Sequence, residues 1–378
     1  MTSKISSTRL TNAISLVTSS LVFSHASLPL NAYVLGIDAS IRCSGIALVN
    51  AKTGIPSRVA ISRTRVKAPP LFAGGRLAAA VRAICSSRTN EPVRIIETSL
   101  EEIPMQFKAS SSSSMTRFAL ARVNGVAAYE SWKFSGGAPV QFHYPNAMRS
   151  FFGIKPHTKI KDNNISDGTT ISLSTKSNEN KKAVLELILS LQPNLLLNIE
   201  EVVEKSGYIG AIEEFKSPMS WLQGDSSQLR MLTQKEANTT KFDVADATLA
   251  ALYGLATHLI MNTATINNGE VFAKVAAEIV SPQLQSELFQ SLIKHHKTVC
   301  IVAEARERLQ PAPEDPLTIV EETSMLSTKK VKNHVTSSER PTEEIERFYK
   351  KARALFDKAC QSVLLSGDLF PSWKRTIL

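Results

Sequence analysis

The chain has 378 residues, 43% hydrophobic and 21% charged, a globular composition long enough for one large domain or two smaller ones. Its formal net charge of +10 fits a polyanionic partner, which concerns association and not fold. Cys43, Cys85, Cys300 and Cys360 form no CxxC pair, which argues against a disulfide framework or structural zinc site and for reduced thiols in an intracellular compartment.

No acidic residue precedes Asp38. The N-terminal segment carries Lys4, Arg9, many Ser and Thr, and an apolar patch from Ala13 to Phe23, the look of an organelle transit peptide. Ser and Thr interrupt that patch, so it falls short of a secretory core and of the roughly 18 apolar residues that a membrane anchor needs. Residues 1–31 are therefore expected to be a mitochondrial targeting segment outside the fold, and no membrane association is expected.

Two buried strands follow, Val34–Ile37 and Ile46–Val49, joined by a polar turn. Asp38 ends the first strand. A carboxylate there is costly unless something uses its charge, and a divalent cation is one such user. The competing reading is an Asp that caps its own turn. Arg58–Val66 alternates as a third strand whose arginines read as a solvated face, and Pro69-Pro70 breaks the pattern. Arg76–Cys85 has helical spacing, and Val93–Leu100 is a further strand running into Glu101-Glu102. A loop with five consecutive serines precedes a helix over Met115–Trp132, in which Gly125 is expected to permit close packing. Val140–Tyr144 reads as a short strand and Asn146–Phe152 as a short helix ended by Gly153.

Residues 155–180 are polar and are expected to be a solvated insertion without structure. A helix runs from Lys181 through Leu191; 193–203 is ambiguous and 204–240 has no clear pattern. Phe242-Asp243-Val-Ala-Asp246-Ala-Thr-Leu249 then opens an Ala/Leu-rich helix. Asp243 and Asp246, three apart, share a helix face. They read either as a cap and first-turn residue favoured by the helix dipole or as a carboxylate pair aimed at a metal. Two-metal phosphodiester chemistry uses such a set, in which several carboxylates hold two ions about 3.5–4 Å apart.

Beyond about residue 260 the pattern is helical, with periodic apolar positions over Val271–Leu292. His295-His296 reads as part of a solvated basic face, 308–341 as a linker, and Glu343–Leu364 as an amphipathic helix.

The tract Leu35-Gly-Ile-Asp38-Ala-Ser-Ile-Arg-Cys-Ser-Gly45-Ile-Ala resembles the first strand and turn of RuvC-type Holliday-junction resolvases, a branch of the RNase H-like nucleases. Leu100-Glu-Glu-Ile-Pro-Met-Gln-Phe, followed by Phe118 to Val126, is similar to their second acidic strand, loop and glycine-bearing helix. Arg149-Ser-Phe-Phe-Gly153-Ile with Lys181-Lys-Ala-Val184 is similar to their fifth-strand exit and lysine-led helix, and Asp243-Val-Ala-Asp246-Ala to their closing helix. The resemblance covers roughly residues 33–260.

It implies an α/β fold, an RNase H-like mixed sheet with helices on both faces, over 32–262, followed by a helical C-terminal extension over 263–378. It implies that Asp38, Glu101, Asp243 and Asp246 hold Mg2+ or Mn2+, with Asp38 bridging two ions, and that Lys181 or Lys182 lies near the scissile phosphate. Glu97 and Glu102 remain rivals of Glu101 for the second position. The implied activity is a metal-dependent endonuclease cutting branched DNA, four-way junctions above all, as a homodimer. A catalytically inactive RuvC-like component that binds nucleic acid or joins a ribonucleoprotein is the alternative. A sugar-kinase-like ATPase is a third reading, but it requires a second glycine-rich phosphate loop that the sequence does not show.

Overall fold

The computed structural model describes residues 6–64, 69–85, 93–102, 114–154, 173–195, 200–202, 234–279, 291, 293–296 and 343–377. In chain order its elements are helix α1 (Ser7–Ala26), strands β1 (Ala32–Asp38), β2 (Cys43–Asn50) and β3 (Pro56–Arg63), and helix α2 (Pro70–Cys85). Strand β4 (Arg94–Glu101), helix α3 (Ser114–Phe134), strand β5 (Val140–His143), and helices α4 (Pro145–Phe151) and α5 (Leu173–Leu191) come next. Strand β6 (Glu200–Val202) and helices α6 (Gln234–Thr265), α7 (Glu270–Ala277), α8 (Glu343–Ser366) and α9 (Pro371–Ile377) complete the described chain.

Two compact units divide it: Ser27–His258 with Leu364–Leu378, and Met1–Ala26 with Leu259–Val363. This differs from the expected split into a targeting segment, a domain over 32–262 and an extension. The C-terminal segment returns to the first unit, and the N-terminal helix belongs to the second.

The first unit is built on a six-stranded sheet in the order β5-β4-β1-β2-β3-β6. Strands β1, β2 and β3 form an antiparallel meander, while β4 lies parallel to β1, β5 to β4 and β6 to β3. That is a mixed α/β sheet, as the resemblance implies.

Successive side chains on a strand point to opposite faces. From β1 and β2, Leu35, Ile37, Ile46 and Leu48 enter a buried cluster with Leu77, Val81 and Ile84 of α2 and Val123 and Ala127 of α3. The other face of the same strands carries Gly36 and Gly45, and α6 lies directly on them. A Cβ on Gly36 would meet the Ala247 carbonyl and come within 2.6 Å of the Ala251 nitrogen. One on Gly45 would meet the Asp243 carbonyl and come within 2.9 Å of the Val244 nitrogen. Helices thus cover both faces. Helix α6 is also long and apolar enough to cross a bilayer by length and composition, but 78% of its apolar window is buried within the protein, as suits a core helix.

Several boundaries differ from expectation for identifiable reasons. Helix α2 starts at Pro70 because proline is accepted in a first helical turn, so Pro69-Pro70 opens the helix instead of merely breaking the strand. Helix α5 starts at Leu173, taking in the end of the expected insertion, whose residues 155–172 lie outside the described chain. Most of the serine loop and the whole 308–341 linker also lie outside it. The ambiguous 193–203 tract supplies β6. Gly125 does not serve close packing among the described residues: a Cβ there would meet none of them within 4 Å, and it is at Gly74 that α2 meets Val126 of α3.

In the second unit, Ala13, Val17 and Leu21 of α1 are fully buried, spaced by one helical turn. Helix α1 packs against α7, Asn12 Nδ2 donates to Glu278 Oε2 at 3.0 Å, and the Ser24 and Thr263 hydroxyls are hydrogen-bonded at 3.2 Å. Residues expected outside the fold are therefore part of it, because their apolar patch also forms a one-sided helical stripe. His296, expected on a solvated face, is buried; it stacks on Phe272 with centroids 3.9 Å apart and bonds the Ala264 carbonyl at 3.2 Å. The amphipathic face of α8 is as expected, with Ala352, Leu355, Phe356 and Ala359 buried.

Replacing Gly36 or Gly45 by alanine is expected to lower stability by about 3 kcal/mol, the upper end for overpacking, because backbone atoms must move. Gly125→Ala is expected to raise it by up to about 1 kcal/mol by removing a helical glycine. Urea unfolding of the three variants checks both directions.

Candidate metal centre

Register brings the first two carboxylates together. Ile37 of β1 pairs with Leu100 of β4, so Asp38 and Glu101 end adjacent parallel strands as neighbours. Opposite Asp38 stands Gly45, where the Asp243 backbone touches the sheet. Asp246 lies one turn further along the same face of α6.

The electrostatics record this convergence. Burial first, then the negative charges of Glu101, Asp246 and Asp243, raise the Asp38 pKa well above the usual carboxylate range, with Lys181 opposing. Glu101 is pushed up to about 7, chiefly by burial and then by Asp246, while Arg149 and Lys181 pull the other way. Burial likewise raises Asp243 and Asp246. Lys181 lowers all four, whereas Lys182 is exposed on α5.

The rivals of Glu101 stand elsewhere. Glu97 lies four residues back along β4, fully buried, bonded to His258 Nδ1 at 3.3 Å and Gln141 Nε2 at 3.5 Å. Glu102 continues the backbone ladder past Glu101, its amide donating to the His143 carbonyl at 2.8 Å.

The reading of Asp243 as a cap does not hold. Helix α6 begins at Gln234, so both aspartates lie more than two turns inside it, beyond the reach of the N-terminal dipole. The polar sequence before Phe242 concealed that start.

Three residues of the site were not singled out from sequence. Arg149 of α4 bonds Asp246 Oδ1 through Nη2 at 3.4 Å, while its buried Nε has no hydrogen-bond partner among the described residues. Arg63, read as part of a solvated strand face, bonds the Thr240 hydroxyl and acts on Asp243. The Cys43 thiol, pushed up to about 12 by burial and by Asp243, donates to the Asp243 carboxylate. The resemblance around Arg149 to Gly153 was the one signal near Arg149; nothing local marked Arg63 or Cys43.

Four carboxylates are the hard oxygen donors that magnesium and manganese prefer, and their shared charge favours a divalent cation. In donor type and charge the set fits such an ion. Among the described residues, no three His, Cys, Asp or Glu side chains form a group arranged to hold a metal. The carboxylates are gathered at electrostatic range.

A carboxyl whose folded pKa is raised binds more protons folded than unfolded, so stability falls as pH rises between the two values. For Glu101 that window runs from its ordinary 4.5 to about 7. In chelator, wild-type protein is expected to lose stability across this window and Glu101→Gln to lose less, ending more stable than wild type at neutral pH. Thermal melts over a pH series check it.

No family model matches the chain, and no curated protein matches it. Among solved structures, Thermus thermophilus RuvC in complex with a Holliday junction substrate is similar at 14% identity and TM-score 0.31, over 60% of this chain and 93% of that one. A further Thermus thermophilus RuvC structure is similar at 15% identity and TM-score 0.32, over the same shares. The yeast mitochondrial Holliday junction resolvase Ydc2 is similar at 12% identity and TM-score 0.31, over 68% of this chain and 96% of that one.

Proposed function

We propose that this protein is a divalent-metal-dependent, structure-selective endonuclease that hydrolyses phosphodiester bonds in branched DNA. The observation that carries the proposal is the gathering of Asp38, Glu101, Asp243 and Asp246, from three separate elements, around one buried position whose proton affinities all rise. A structural cluster of this kind has no benefit to folding, because buried like charges oppose it.

These four side chains would hold Mg2+ or Mn2+. When bound, the ions supply activation of water and stabilisation of the leaving oxygen. The chain's own cations supply the rest. Lys181 and Arg149 stand beside the carboxylates and offer donors to a phosphate, Arg149 through its uncommitted Nε. Arg63 restrains α6 through Thr240. The net charge of +10 supports association with a polyanion, with phosphate contacts favouring recognition by shape. A homodimer, matching the two-fold character of a four-way junction, belongs to the proposal. So does a mitochondrial destination, supported by the acid-free N-terminus; since α1 packs into the second unit, the signal would be read from a segment that the folded protein keeps.

The net charge of +10 would equally suit a second reading, a RuvC-like protein that binds nucleic acid or joins a ribonucleoprotein without cutting.

The deciding experiment incubates purified protein with four-way junction, duplex and single-stranded DNA, with Mg2+ or with chelator. Paired nicking of the junction in Mg2+, reduced at least about 100-fold in Asp38→Asn, is expected. Tight junction binding with no cutting under any divalent ion establishes the second reading instead.

A further inference from the structure

We propose that the C-terminal helix α9 is a positioning element of the candidate site, acting through α4 and α5, the helices that carry Arg149 and Lys181. The proposal rests on the nuclease reading for its consequence but not for its geometry.

Phe370 and Trp373 are almost fully buried. Their rings stack at 4.4 Å between centroids. The Trp373 indole N–H donates to the Gly54 carbonyl at 3.0 Å, across a sequence separation of 319. Gly54 has φ of 63°, and a Cβ there would lie 2.7 Å from both Phe370 and Trp373, so the turn between β2 and β3 is shaped to receive the tail.

From this anchor a line of ring contacts runs to the site. Trp373 meets Phe152 at 5.5 Å, Phe152 meets Phe151 at 5.1 Å, Phe151 meets Tyr253 at 5.5 Å, and Tyr253 meets His143 at 4.9 Å, all edge-to-face. His143 pairs in register with Glu101. Phe151 ends α4, two residues beyond Arg149. Helix α9 also packs against α5. Helix α9 therefore braces two of the three elements that bring positive charge to the carboxylates, α4 and α5, while Arg63 is carried by β3. Beta strands β1 and β4 and helix α6, which bring the negative charge, are held by the sheet and its close helix contact.

The consequence is a division of effects. Loosening α9 should leave the carboxylates in place while Arg149 and Lys181 lose their fixed positions. The role is one of positioning, exerted through α4 and α5.

The test is amide hydrogen exchange on the full-length protein and on Trp373→Ala and Trp373→Phe, alongside junction cleavage. In Trp373→Ala, exchange over 145–151 and 179–191 is expected to rise about tenfold, with 70–85 unchanged. The turnover rate on a junction should fall about tenfold, while the divalent-ion concentration for half-maximal cutting stays within about twofold. Trp373→Phe keeps the ring and loses the bond to Gly54; it should show the same pattern at reduced size, and it serves if the alanine variant does not fold. Unchanged exchange over 145–151 and 179–191, or an equal rise over 70–85, overturns the proposal. A wild-type protein that cuts no junction would sink the nuclease reading alone, because the exchange pattern still decides the role of α9.

Discussion

The rest of the first unit depends on one contact: α6 lying on β1 and β2 where Gly36 and Gly45 carry no side chain. Closeness of this order fixes the helix in both translation and rotation. Any slip along its axis would move a Cβ of α6 onto the bare strand backbone. Because the Asp243 carbonyl sits on Gly45, and Gly45 is the register partner of Asp38, the helix and strand-end carboxylates are locked together. The parallel register of β1 with β4 adds Glu101 by the same kind of rule. Thus two backbone registers assemble four acidic side chains with no bond among them.

The assembly opposes folding. Each acid has its proton affinity raised, and burial is the largest cause for all four. The unit tolerates this because hydrophobic contacts elsewhere on α6 are extensive, with Val244, Leu249, Leu252 and Leu255 buried. Stability is given up at one rim and recovered along the rest of the helix, the usual distribution around a functional site. The cations come from other elements. Lys181 is on α5, Arg149 on α4 and Arg63 at the end of β3, so acid and base sides of the site are held by different parts of the fold.

What could be read from sequence follows from range. The β1–β2 pair was legible because two short apolar runs and the polar turn between them lie within one stretch, and Asp38 stood out as a charge at a strand end. Glu101 could be preferred over Glu97 only through the spacing into the following loop; its register beside Asp38 depends on a bulge between Tyr33 and Val34 that no local pattern shows. Asp243 and Asp246 were legible as a pair but not in context, since Gln234–Thr240 is too polar to announce a helix. Arg63 and His296 were misread for a shared reason. A polar residue on an amphipathic element is usually solvated, and only tertiary contacts reveal the exceptions. The N-terminal stripe of Ala13, Val17 and Leu21 carries both a targeting-like composition and a packing face, and composition alone weighs only the first.

Under the proposed reading, charge balance at the rim would give the site an order of events. Four carboxylates face three cations, Lys181, Arg149 and Arg63, of which Arg149 already shares its charge with Asp246. Under the proposed nuclease reading, a phosphodiester approaching this array without a divalent ion would meet repulsion from its acids, with the guanidinium and ammonium partly neutralised. A divalent ion held by Asp38, Glu101, Asp243 and Asp246 would compensate their charge and leave Arg149 and Lys181 available to a phosphate. Cation and substrate would therefore favour each other's binding, by the reciprocity that any such coupling obeys. That coupling separates a working nuclease site from a buried acidic cluster of purely structural origin, in which adding a phosphate diester would leave the affinity for the cation unchanged.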